Sequence, residues 1–165
     1  MKQLLKKRLK NSNGFTLVEL LAVIVILGII AAIAVPSIGN VIENSKKDAT
    51  LANAEQMINS ARLLVTAEDV EYTNGSLTIP LDSNAENTFS LIGSGYLNQL
   101  EDTTGAAYDG ASKVVVDNEE GSLSFSVFLS GADYTIGTNA TPASEIGLDR
   151  EKVKESSTVT ASPSS

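Results

Sequence analysis

The strongest constraint on this chain is an apolar run from Phe15 to Ile38 that is interrupted by one charge, Glu19. Sixteen consecutive residues, Leu20 to Val35, carry no charge. About 20 apolar residues in a helix match the hydrocarbon core of a bilayer, so the run reads as a single membrane crossing. Lys2, Lys6, Lys7, Arg8 and Lys10 precede it without any acid, which places residues 1–14 on the cytoplasmic side and the remainder outside. A secretory signal peptide shares this order of basic and apolar segments but has a shorter apolar stretch. Cleavage near Ala31-Ala32-Ile33-Ala34 would also leave Glu19 without a purpose.

Glu19 needs an explanation, because an ionised carboxylate in a bilayer costs on the order of a few kcal/mol and usually marks function. It follows Phe15 by four residues, about 6 Å along a helix. A cut between Gly14 and Phe15 would create a new ammonium one helical turn from Glu19. That carboxylate would then lie within pairing reach of a neighbouring subunit. A plain membrane anchor has no use for it.

The composition excludes several function classes. With no cysteine and no histidine, the chain lacks disulfides, thiolate nucleophiles, sulfur-ligated metal sites and the commonest general base. The acidic stretch Asp117-Asn118-Glu119-Glu120-Gly121 lacks calcium-loop spacing and reads as an exposed turn. No enzymatic activity, metal or cofactor is expected. The five basic residues of the first 14 leave −13 on the rest of the chain, given −8 for the whole. Such an acidic surface repels phosphate backbones, so direct DNA binding is not expected.

Helical periodicity continues past Pro36 to about Val70. Ile38, Val41, Ile42, Ser45, Ala49 and Ala52 form one stripe; Leu51, Ala54, Met57, Ile58, Ala61, Leu64 and Val65 form a second on roughly the opposite side. The succession predicts a helix that first faces other subunits and then its own domain. Asn74-Gly75 signals a turn, with a short strand at Leu77–Ile79. Phe89 to Leu100, with the preceding Thr88, reads as a short helix closed by glycine. Lys113–Asp117 is β-branched, Ser122–Leu129 alternates with Leu123, Phe125, Val127 and Leu129 inward, and Ala132–Ile136 follows a turn. These segments predict an antiparallel meander laid over the second stripe.

The stretch GFTLVELLAVIVILGIIAAIAVP, residues 14–36, resembles the N-terminal signature of type IV pilins and pseudopilins. Its matching features are Gly14 before the cut, the aromatic Phe15, Thr16, Glu19 five positions on, and Pro36 near the end of the run. The resemblance is close over residues 11–36, loosens to about residue 65, and beyond that extends to architecture only. It implies an α+β, pilin-like fold: a long helix with its apolar half protruding and its second half packed on a small antiparallel sheet. The implied domains are a basic leader at 1–14, removed on processing, a transmembrane and filament-core helix at 15–37, and its amphipathic continuation at 38–70. A globular sheet domain at 71–137 and a polar, partly disordered tail at 138–165 complete them. By the same resemblance a prepilin peptidase cuts after Gly14 and Phe15 is N-methylated, while Glu19 and Thr16 serve assembly. Gly28 and Pro36 are the weak points at which the helix could stretch out in a filament.

The implied partners are other copies of the chain in a helical filament, the peptidase, a membrane assembly platform, and lipid before assembly. The precursor would sit in the cytoplasmic membrane with its N-terminus inside, and the mature subunit in a surface pilus. Many members of the family close a C-terminal loop with a disulfide; a chain without cysteine is more similar to a subset from Gram-positive hosts. Two alternatives stand beside a pilus subunit: a competence or type II secretion pseudopilin, and a membrane-tethered binding module that never polymerises.

Overall fold

Helix α1 runs from Leu17 to Ala67, 51 residues, in a computed structural model that describes residues 16–82 and 89–156. The chain divides into two units, residues 1–42 and 43–165. In the first, the side chains from Leu17 to Ile42 are exposed, apart from the half-buried Ala34. The helix is unbroken through Gly28 and Pro36. An apolar sequence that exposes Leu20, Leu21, Ile24, Leu27, Ile30 and Ile33 is long and apolar enough to cross a membrane. The leader and the residues at the expected cut, Gly14 and Phe15, lie outside the described residues.

In the second unit, α1 turns one face to a sheet. Ala54, Met57, Ile58, Ala61 and Leu64 are buried on it, with Leu51 and Val65 partly buried at its margins. This is the second stripe of the sequence, at the i, i+3, i+4, i+7 spacing that one helical face requires. Ser45, Ala49 and Ala52 of the other stripe are exposed. The helix ends at Ala67, with Glu68 N–H donating to the Leu64 carbonyl at 2.9 Å.

The sheet comprises β1 (Ser76–Pro80), β2 (Lys113–Glu119), β3 (Ser122–Ser130), β4 (Tyr134–Ile136), β5 (Ala143–Ser144) and β6 (Val153–Glu155), in the order β1-β2-β3-β4-β6. All pairings are antiparallel, and β5 pairs β3 alongside β4. Ile79, Val114, Val116, Phe125, Val127, Leu129, Tyr134, Ile136 and Val153 join the helix face in one apolar core. Asn74 and Gly75 both have positive φ, 53° and 80°, as the two central residues of a type I′ hairpin turn require, and Thr73 bridges Ser76 across them.

Three expectations need correction. The sheet does not stop at residue 137: β5, a 3-10 turn at Arg150–Lys152 and β6 carry ordered structure to Glu155, inside the segment assigned to a polar tail. Residues 157–165, the rest of that tail, lie outside the described residues. The segment Phe89–Leu100 forms turns rather than a helix, because Ser90 Oγ captures Gly93 N–H at 2.9 Å and Gly95 adopts φ +79°. In β3 the inward set is shorter than the alternation suggests. Leu123 is 41% exposed beside the Glu119–Glu120 turn, and Phe128, on the serine face, is buried.

Polar ties fasten the loops to this core. Lys46 pairs with Asp133 at 2.8 Å, and Arg150 Nε donates to Asp48 at 2.6 Å. Arg62 stacks over the Phe125 ring at 4.7 Å and grips both Glu145 oxygens, at 2.7 and 2.9 Å. Asp102 accepts from the Thr104 hydroxyl and from the N–H groups of Thr104, Ala106 and Ala132, joining the 102–106 loop to the β3–β4 turn. Burial would push its carboxyl up, but those hydrogen bonds more than offset it and hold the pKa at about 2.

Candidate functional site

The site is the start of α1. Thr16 is the residue before the first helical position, Leu17. Its carbonyl accepts the first intrahelical bond, from Leu20 N–H at 3.1 Å. Its hydroxyl accepts from Glu19 N–H at 3.3 Å, while Glu19 Oε2 accepts from Thr16 N–H at 2.8 Å and from the Thr16 hydroxyl at 2.9 Å. This reciprocal pair is a capping box, in which each side chain satisfies a backbone donor that the first turn leaves open. The N-terminal end of the helix dipole also favours a carboxylate there.

The consequence is directional. Glu19 folds back towards the chain entering the helix and touches the backbone of Thr16, the residue adjoining Phe15. An amino terminus at Phe15 would therefore begin one residue from a carboxylate already aimed that way. The sequence reading brought Glu19 and Thr16 to one site but missed the bond between them. The signal was present as Thr16-Leu17-Val18-Glu19, the threonine-to-glutamate spacing of a capping box.

Gly28 and Pro36 lie farther along the same helix. A Cβ at Gly28 would meet nothing within 4 Å. Neither residue contacts Glu19, and neither interrupts the helix in the single chain. Among the described residues no group of three or more acidic side chains is placed to hold a metal.

A long apolar helix whose continuation packs on an antiparallel six-stranded sheet is an α+β, pilin-like layout. Residues 9–35 match the prokaryotic N-terminal methylation motif, the signature of type IV pilins and pseudopilins. The match brackets Gly14, Phe15, Thr16, Glu19 and Gly28 and stops one residue short of Pro36. It supports a type IV pilin-like or pseudopilin precursor, and such a motif implies processing by a prepilin peptidase and assembly into filaments. An N-terminal apolar helix and this motif are consistent with a membrane-anchored precursor later assembled at the surface. No curated protein and no solved structure matches the chain.

Proposed function

We propose that this chain is a structural subunit of a type IV pilus, cut after Gly14, N-methylated at Phe15 and polymerised through its apolar helix. The observation that carries this reading is the capped helix start inside the methylation motif: Glu19 is held against Thr16, beside the residue that cleavage would turn into an amino terminus. A new ammonium at Phe15 carries a unit positive charge, and an apolar surrounding of low dielectric strengthens its attraction to a carboxylate. The helix stripe of Ile38, Val41 and Ile42, exposed in the single chain, supplies further apolar surface for neighbouring helices. Lipid covers the apolar segment before assembly, and other copies replace lipid afterwards. Gly28 and Pro36 bracket the segment in which the helix would extend as it enters the filament.

Mass spectrometry of filaments sheared from the cell surface tests this. The expected species begins at N-methylated Phe15. Recovery of the chain only in membranes, with residues 1–14 still attached, would sink the proposal and favour the tethered binding module. Processed protein confined to the envelope, without surface filaments, would favour the pseudopilin reading.

A further inference from the structure

The search outside the helix start turns on how the cations of residues 43–165 are used. Seven Lys or Arg follow residue 14, and all lie in this unit. Four are spent internally: Lys46 on Asp133, Lys47 on Glu43, Arg62 on Glu145 and Arg150 on Asp48. Lys113, Lys152 and Lys154 have no ion pair among the described residues.

The strand register puts all three towards one end of the sheet. Lys113 lies opposite Phe128, near the end of β3, and Lys154 lies opposite Thr135, itself paired with Ser130. Lys152 directly precedes β6. Acids are present at that end too, but Glu43, Asp48 and Asp133 pair with cations, and Asp102, Asp109 and Asp149 accept backbone N–H groups.

The opposite end has the reverse character. Glu119 pairs with Ser122 at the β2–β3 turn, and Asp117 lies opposite both Ser76 and Ser124. Asn118 N–H donates to the Gly75 carbonyl at 2.8 Å, which draws the Asn74-Gly75 turn, and the chain leaving α1, to the same place. Glu68, Asp69, Glu71, Asp117, Glu119 and Glu120 therefore share this end without an ion pair among the described residues. The helix runs between the two ends: Lys46 reaches the β3–β4 turn and Arg62 covers Phe125, farther towards the acidic turn.

We infer that the lysine end of one copy docks against the acidic end of a second copy of this chain. This rests on the filament reading above. The two surfaces are different patches of one molecule, so their contact is head-to-tail, and a head-to-tail contact that does not close on itself generates an open filament. Charges at such an interface act chiefly on orientation and register, because like charges brought together are excluded.

The test uses the full chain as the sole copy in its host, with sheared surface filaments quantified for four variants. Lys152→Glu with Lys154→Glu should lower the yield about tenfold, as should Glu119→Lys with Glu120→Lys, since each turns two attractions into repulsions. All four substitutions in one chain should restore most of the yield, because every contact is then reversed on both sides. Wild-type yield from either pair alone overturns the docking surface while leaving the filament reading intact. Loss in both pairs without recovery in the four-fold variant also overturns it. Absence of filaments from the wild-type chain overturns the filament reading itself, and this inference with it.

Discussion

Gly137→Ala should be among the most disruptive single-methyl changes in residues 43–165. Gly137 closes β4 with φ +69°, a conformation that costs an L-residue about 1 kcal/mol or more. An added Cβ would lie 2.6 Å from Ala143 N, 2.9 Å from the Val127 carbonyl oxygen and 3.1 Å from Pro142 C. All three are backbone atoms, so no side chain can rotate away. Relief requires β5 to move off β3 and weakens the Ser126–Ser144 and Val127–Ala143 pairings. At about 1 kcal/mol per hydrogen bond lost, plus the backbone term, the total is roughly 2–4 kcal/mol. In a domain of this size that lowers Tm by about 8–15 °C. Urea unfolding of residues 43–165, followed by tyrosine fluorescence, measures it. Gly110→Ala is the control: its Cβ meets nothing within 4 Å, so it should stay within about 0.5 kcal/mol of wild type. If Gly137→Ala unfolds at the same urea concentration as Gly110→Ala, the close approach of β4, β5 and β3 does not carry the stability assigned to it.

Gly14→Val should leave a full-length precursor in the membrane; a mutant chain still recovered with Phe15 at its terminus would refute the leader assignment. Glu19→Ala should be cut normally yet yield few or no filaments, and its loss of the capping box should fray the first turn by about 1 kcal/mol. Wild-type filament yield from that variant as sole copy would remove the assembly role. Asp102 has its pKa lowered from 3.8 to about 2, so its contribution is fully present above the unfolded value and is lost as pH falls through the folded one. Asp102→Asn should therefore flatten the decline in stability between about pH 4 and pH 2, and parallel declines would contradict this. Residues 40–165 should bind duplex DNA poorly at physiological salt; a salt-sensitive micromolar affinity in a filter or fluorescence assay would reveal a basic patch hidden by the net charge.

What could be read from sequence was what is local. The buried stripe from Ala54 to Leu64 and the strands β2 and β3 announce themselves by periods of 3.6 and 2, and the Asn74-Gly75 turn by residue type. The methylation motif is contiguous, so Gly14, Phe15 and Glu19 needed no tertiary information. The C-terminal strands were not legible because nothing in Ala143-Ser144 or Val153-Lys154-Glu155 alternates over enough residues to signal a strand. They pair only because β3 and β4 offer open edges, Gly137 allows the close approach, and Val153 finds the core. Phe89–Leu100 failed for the opposite reason: its apolar spacing suggested a helix, but a serine side chain and two glycines redirected the backbone bonds.

The arrangement of β6 has a consequence for export. A chain that crosses a membrane N-terminus first presents α1 and the β1–β4 segments before the residues that close them. Until Glu155 has emerged, β4 has an open edge of N–H and C=O groups, and β3 lacks its short partner β5. Asp48 likewise waits for Arg150, 102 positions later. The outer unit thus completes itself late in translocation, and its half-finished edges are the surfaces on which premature copies would stick to one another.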